Sequence, residues 1–385
     1  MNIVLNFVGL RAGGGRTDGI NLLSKIPAYA PQTRFFAVVP AGCGYERVPL
    51  PPNCVVRYEH VRKFNDIWRI YFDNVVLRSI CRSFKADVLF TMCNNGPLSI
   101  KSTRHVVMLR NAYYVYRRSE YADVMQQGLS MRLKMGCLRY LFRICAESAD
   151  AIIVQTHTMR ERLCMNYRVT VPVHVIGKNV TEKIKTHELM DDGSSTADRI
   201  RNHPADFKFL YLARYFPQKN MEKACEAVAL VRSRGYNVTL FLTIEKDDYR
   251  GAPQLYDRIK RGDYGDAVIN VGRVDFHHIE DVYGAVDAVL LPSVLESYSA
   301  SYLEAMAYGK PLLVSDRDFA REVCADAAEY FEPRSTESIA ASVERLIYSD
   351  DLRGRLVERG VARYAERRVT WEQVAKMYLD ILLNT

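Results

Sequence analysis

A chain of 385 residues exceeds what one hydrophobic core usually supports, roughly 250 to 300 residues, and so predicts two domains. Its 48% hydrophobic and 25% charged content, with 21 Gly and 14 Pro, excludes a disordered, collagen-like or coiled-coil chain. The net charge of +8 hides an asymmetry: residues 1–180 hold 25 Lys+Arg against 11 Asp+Glu, and residues 181–385 hold 28 against 34.

The first apolar run, Asn2 to Val8, has no basic segment before it and is too short for a signal-peptide core, so it reads as a β-strand. A glycine-rich loop, Gly9 to Arg16, follows and leads to a helix near Gly19 to Ile26. Further β-branched or apolar runs at Arg34–Pro40, Cys54–Tyr58, Asp87–Thr91, His105–Arg110, Asp150–Gln155 and Val173–Ile176 alternate with helix-capable segments, the pattern of a parallel sheet. Two of those segments, Val61–Lys85 and Leu129–Cys145, mix Arg and Lys with aromatic and aliphatic residues at helical spacing. They suit either an apolar stripe packed on the domain core or a helix lying on an anionic membrane surface. No nucleic-acid motif accompanies them, so nucleic acid is not an expected partner.

Residues 181–206 are polar and read as a linker or insertion. Alternation resumes with strands at Phe207–Ala213, Val238–Ile244, Ala267–Val271, Ala288–Leu291 and Pro311–Ser315. The expected organisation is a doubly wound α/β domain over 1–180, a second over 207–365, and a terminal helix within about 366–385 that crosses back onto the first. Nine scattered cysteines without a C-x-x-C pair point to a reducing, cytoplasmic compartment, and no apolar stretch reaches the roughly 20 residues that span a bilayer.

In doubly wound sheets ligands sit outside the carboxyl ends of the strands, so the loops there should carry the chemistry. After Phe207–Ala213 come Arg214 and Lys219, followed by Asn220 as an N-cap of a helix over Met221–Arg234. Two cations beside a helix N-terminus make an anion site suited to a diphosphate. After Ala288–Leu291 come Glu296 in a loop and, eight positions on, Glu304 one turn into the next helix. Carboxylates accept hydrogen bonds from vicinal sugar or ribose hydroxyls, and small Ser297 and Ser299 admit a ligand to the backbone.

The stretches Tyr211–Asn220 and Leu290–Pro311 resemble the two donor-site signatures of retaining glycosyltransferases of family 4, whose fold is GT-B: two Rossmann-like domains facing across a cleft. The resemblance covers most of residues 207–330 and implies a nucleotide-diphosphate sugar as donor. It implies that Arg214 and Lys219 bind the diphosphate, Glu296 the sugar hydroxyls and Glu304 the ribose, with Ser297, Tyr298, Ser299 and Ala300 lining the donor and Val274 against the base. It also implies that Gly14 and Gly15 face the donor, with Arg16, Asn111 and Tyr113 as acceptor-side candidates. Two departures stand out: Asn111 occupies a place where many relatives have histidine, and Ser297-Tyr298-Ser299 replaces Gly-Phe-Gly.

The resemblance implies metal-independent transfer with no cofactor, since Arg214 and Lys219 supply positive charge at the phosphates. Asp316-Arg317-Asp318 has the D-x-D pattern of a metal site but stands in the wrong place for one. The expected acceptor is a glycan or a lipid-linked hydroxyl, as in bacterial polysaccharide or lipopolysaccharide assembly, with a GDP- or UDP-linked donor of mannose or rhamnose type preferred. The rival readings are a nucleotide-sugar epimerase or phosphorylase of the same fold, and a non-catalytic membrane adaptor.

Overall fold

The computed structural model describes residues 1–61, 66–125, 128–177 and 194–384. The chain divides into two compact units, one of Met1–Tyr116, Gln127–Glu182 and Val369–Thr385, the other of Arg117–Gln126 and Lys183–Arg368.

The first unit holds β1 (Asn2–Asn6), β2 (Arg34–Pro40), β3 (Cys54–Glu59), β4 (Val88–Thr91), β5 (Arg104–Met108), β6 (Ala151–Val154) and β7 (Val173–Val175). They form a parallel sheet in the order β3-β2-β1-β4-β5-β6-β7, with β1 paired to β2 through Ile3↔Phe35 and to β4 through Ile3↔Val88. Because side chains alternate along a strand, β1 feeds two cores. Ile3, Leu5 and Phe7 pack into the one completed by Trp371, Val374, Tyr378 and Leu382 of the terminal helix Trp371–Asn384. Val4 and Val8 face the other, with Phe72, Leu77 and Ile80.

The basic stretch Val61–Lys85, of which residues 62–65 lie outside the described residues, is a broken helix rather than one continuous element. It runs Asp66–Tyr71, a wide π turn at Phe72–Val76, then Leu77–Phe84. The break accommodates a charge that a smooth apolar stripe would exclude: Asp73, 2% exposed, accepts hydrogen bonds from Arg69 Nε at 2.7 Å and Asn6 Nδ2 at 3.5 Å. Burial raises the Asp73 pKa, and Arg69 draws it back. The second basic stretch is the helix Leu129–Ser148. It buries Phe142 and Cys145 while exposing Leu129, Leu133 and Tyr140, and Ile67, Tyr71 and Val75 are exposed in the same manner on the first stretch.

The second unit holds β8 (Phe207–Tyr211), β9 (Val238–Leu242), β10 (Val268–Asn270), β11 (Ala288–Leu291), β12 (Leu312–Ser315) and β13 (Glu329–Phe331), parallel in the order β10-β9-β8-β11-β12-β13. β13 is a strand that sequence patterning does not mark, because Glu329-Tyr330-Phe331 opens on a charge and contains no β-branched residue. The polar segment 181–206 is not all linker. Residues 178–193 lie outside the described residues, but Ser194–Arg201 is a helix that buries Ala197 and Ile200 against the second unit, packing on the helix Ile279–Gly284. Arg117–Gln126 also departs from the sequence-based boundary by grouping with the second unit, where Tyr121 is 3% exposed and Arg334 forms a two-pronged ion pair with Asp123. That pair holds the Asp123 carboxyl below its ordinary pKa.

His105, fully buried on β5, accepts or donates at 3.0 Å to Thr91 Oγ1, and burial drives its pKa down to about 3. Between about pH 3 and 6.5 the unfolded chain therefore binds a proton that the folded chain does not. Stability should fall with pH across that window, at most about 1.4 kcal/mol per unit from this residue. Denaturant titrations from pH 7 to 4 should show a shallower decline for His105→Gln than for the parent; identical slopes would remove His105 as the source.

Candidate active site

β8 and β11 are neighbours in the second sheet, so the loops leaving their carboxyl ends emerge side by side. Buried polar contacts then bind the two loops into one structure. Val294 N donates to Gln218 O at 2.9 Å, and Tyr211 OH donates to Lys219 O at 2.6 Å while lying 3.3 Å from Ser293 Oγ. Burial pushes the Tyr211 phenol pKa far up, which keeps it a donor.

Asn220 does not cap the helix Met221–Ser233 with its side chain, contrary to the sequence reading. Its backbone is left-handed at φ 57°, and its buried carboxamide donates to Pro292 O at 3.2 Å and Pro333 O at 2.7 Å. Two buried carbonyls outweigh a cap that water can replace.

Lys219 and Glu296, placed in separate roles by sequence, meet directly: Lys219 Nζ lies 2.5 Å from Glu296 Oε1, with the side chains 16% and 12% exposed. Ser293 Oγ donates to the same carboxylate oxygen at 3.1 Å. Arg214 is also paired. Its Nε donates to Asp248 Oδ1 at 2.8 Å, while Asp248 Oδ2 accepts the backbone N–H groups of Tyr215 and Glu245, each at 3.0 Å. A carboxylate so saturated is a rigid post, and it leaves the guanidinium one-third exposed. Arg273, beside Val274, donates its backbone N–H to Glu245 Oε1 at 2.8 Å, and Val274 is half-buried in the loop after β10.

Glu304 lies in the helix Ala300–Ala307, buried at 9% exposure, and its Oε2 accepts from Tyr283 OH at 3.2 Å. Burial and this contact raise the Tyr283 pKa far above its ordinary value, so the phenol holds the carboxylate as a neutral donor. Tyr298 and Ser299 are buried, whereas Ser297 and Ala300 are half-buried at the start of that helix, where first-turn N–H groups lack intrahelical acceptors.

In the first unit, Gly14 and Gly15 lie not in a loop but in the first turn of the helix Gly13–Lys25. Gly13, at φ +58°, lets the chain enter that turn. A Cβ on Gly15 would come within 3.4 Å of Arg110 Nη2, which is ion-paired to Asp18 at 2.7 Å. Arg16 Nε donates to Cys43 O at 2.6 Å. Asn111 Oδ1 accepts the Tyr113 N–H at 3.0 Å, capping the short turn Ala112–Tyr114, so its Nδ2 is the group suited to a ligand. Sequence reasoning missed Asp248, Tyr283, Ser293 and Arg110. Asp248, Arg110 and Ser293 follow β9, β5 and β11 at their carboxyl ends, the rule that found the other loops, whereas Tyr283 is legible only from packing.

Asp316 pairs with Arg321 through both oxygens, at 2.5 and 2.8 Å, which lowers its pKa, and Asp318 Oδ1 accepts the Phe319 N–H. Among the described residues, no three His, Cys, Asp or Glu side chains converge as a metal site requires.

Two parallel α/β units with paired cations and carboxylates at the carboxyl edge of the second sheet match known proteins in both fold and sequence. The fold is GT-B: the chain superposes over its whole length on sucrose-phosphate synthase of Thermosynechococcus elongatus, covering 100% of each chain with a TM-score of 0.73 at 16% identity. It does so equally on WaaG, a glycosyltransferase involved in lipopolysaccharide biosynthesis, with a TM-score of 0.72 at 16% identity and 100% of each chain covered. Residues 196–363 match the family described as glycosyl transferases group 1. The O-antigen chain mannosyltransferase RfbU of Salmonella typhimurium is 23% identical over 83% of this chain and 82% of its own. A GDP-mannose-dependent phosphatidylinositol dimannoside mannosyltransferase of Mycobacterium tuberculosis is 24% identical over 62% of this chain and 58% of its own. The chain is an enzyme, a glycosyltransferase of the GT-B fold.

Proposed function

We propose that the protein is a retaining glycosyltransferase of family 4 type. It takes a mannosyl or related sugar from a nucleotide diphosphate, GDP in preference to UDP, and passes it to a hydroxyl of a glycan or lipid-linked acceptor in bacterial surface-polysaccharide assembly. The observation that carries this reading is the Lys219–Glu296 pair, which joins the loop that also holds Arg214 to the loop that leads into the helix of Glu304. The mannosyl preference is supported by the names of the relatives above.

Arg214 and Lys219 bind the diphosphate and stabilise the charge that grows on it as the anomeric bond breaks. In the free enzyme Glu296 neutralises Lys219. Donor binding exchanges partners: the ammonium turns to the diphosphate, and the released carboxylate accepts the sugar hydroxyls. The bond from the anomeric carbon to the diphosphate oxygen breaks, and the acceptor oxygen bonds to that carbon on the same face. The acceptor proton passes to the departing phosphate oxygen. Glu304 accepts the ribose hydroxyls, with Val274 against the base. Ser297 to Ala300 line the donor, Gly14 and Gly15 admit it by their lack of side chains, and Arg16, Asn111 and Tyr113 serve the acceptor.

No metal is assigned, because two cations already face the phosphates. The setting is the cytoplasmic face of a membrane: no helix among the described residues is long and apolar enough to cross one, and the two basic stretches carry exposed apolar side chains suited to its surface. The test is thermal unfolding with GDP, UDP, dTDP, ADP and CMP, each with and without EDTA. Ligand at 100 times Kd adds about 2.7 kcal/mol. GDP should stabilise the protein regardless of EDTA, and adding acceptor to GDP-mannose should release GDP. Release without acceptor, or sugar inversion without release, would turn the assignment to hydrolysis or epimerisation.

A further inference from the structure

One cavity lies away from the candidate active-site residues. About 600 Å³ in volume, it is lined by Arg78, Arg82, Lys85 and Lys101, with Ser99 and Ser102 among its walls. It sits where the chain enters β4 and β5, at the amino ends of those strands, whereas Asn111 follows β5 at the carboxyl end. A five-residue strand separates the two edges by roughly 16 Å.

Arg82 and Lys85 belong to the end of the helix Leu77–Phe84, where basic side chains commonly bond the last carbonyls, and Arg78 to its first turn. Here three of the last four carbonyls are already taken. Cys81 O accepts from Ala86 N and Arg82 O from Lys85 N, while Asn2 Nδ2 donates to both Phe84 O and Lys85 O. The cations are left without that role, and none of the four pairs with a carboxylate among the described residues. Arg78 Nε is buried without a hydrogen-bond partner. The carboxylate in the lining, Asp87, is turned to the Asn2 backbone N–H at 2.7 Å. Lys85 and Ser102, both in the lining, hold left-handed backbones, at φ 51° and 61°.

Gathering four positive side chains around one concavity raises their mutual repulsion unless an anion joins them. Guanidinium forks beside an ammonium and hydroxyls suit the oxygens of a phosphate. We propose that this cavity is a second anion site, binding a phosphate group separate from the donor diphosphate. Such a phosphate is carried by a soluble monoester or by a lipid headgroup.

The experiment uses the full chain carrying Lys219→Ala, which weakens phosphate binding at the donor loop. Inorganic phosphate is titrated against chloride at constant ionic strength and thermal unfolding is followed. A saturable rise in Tm is expected, and adding Arg78→Gln with Arg82→Gln should weaken the apparent Kd at least about tenfold, because two charge-assisted contacts are lost. Lys101→Gln, on an exposed loop, provides the same comparison should the double change lower stability in chloride. Flotation with phosphatidylcholine vesicles containing phosphatidic acid separates the sources. Binding that falls with the Arg78 and Arg82 changes assigns the headgroup, and binding that does not, beside a saturable phosphate response, assigns the soluble ester. A phosphate response and vesicle binding that are both unaltered by all three substitutions would overturn the proposal.

Discussion

Lys219→Ala should lower turnover by about 100- to 1,000-fold, with Arg214→Ala in the same range but the smaller of the two. In the proposed roles, each change removes a fixed cation from the atoms where negative charge develops. The difference lies in what remains. Without Arg214, Asp248 keeps both backbone N–H groups on its second oxygen. Without Lys219, the Glu296 carboxylate retains, among the described residues, only the Ser293 hydroxyl, and in the proposed site faces the incoming diphosphate unneutralised. Donor affinity should therefore fall along with kcat, and adding Glu296→Gln should restore part of the affinity while leaving kcat low. Initial rates and donor KM for Arg214→Ala, Lys219→Ala and the Lys219→Ala Glu296→Gln pair decide this. A double variant no better at binding donor than Lys219→Ala would exclude the exchange of partners.

Glu304→Ala should act on a different constant, raising donor KM about tenfold or more with a smaller loss in kcat. Its carboxylate is assigned to ribose hydroxyls, which keep the same contacts in ground and transition states. Losing even one hydrogen bond to a charged acceptor costs about 1.5 to 3 kcal/mol, which is tenfold or more. Tyr283→Phe should follow the same direction more weakly, because the phenol only holds the carboxylate at 3.2 Å. Steady-state kinetics against GDP-mannose test the division. Equal kcat losses for Glu304→Ala and Lys219→Ala would contradict it.

Much of this arrangement was legible before any coordinates. Parallel strands buried on both faces, such as Val88–Thr91 and Ala288–Leu291, are runs of apolar residues bounded by loops, and the alternation of such runs with helices announces the topology. The loops after β8 and β11 were found because chemistry gathers at strand ends. Illegible features depend on distant partners. Arg69, four positions before Asp73, reads in sequence as half of an ordinary exposed helical ion pair, and what buries the pair is out of local reach: the Asn6 side chain that shares Asp73 is 67 positions away. Likewise Lys219 and Glu296, 77 positions apart, reveal their pairing only once β8 and β11 lie side by side. The three glycines misled for a local reason: glycine suits both a loop and a left-handed entry to a helix, and only Gly13 needs the latter.

The path of the chain between its two units bears on how such enzymes can be recombined. The chain leaves the first unit at Tyr116, returns at Gln127, leaves again near Glu182 and comes back at Val369. A chimera that joins a foreign amino-terminal half at residue 180 would sever Arg334 from Asp123 and strip Tyr121 of its surroundings. It would also pair a terminal helix, Trp371 to Asn384, with a core it did not fold against. A workable donor-specificity transplant takes Arg117–Gln126 together with Lys183–Arg368 as one cassette and leaves the last helix with the recipient.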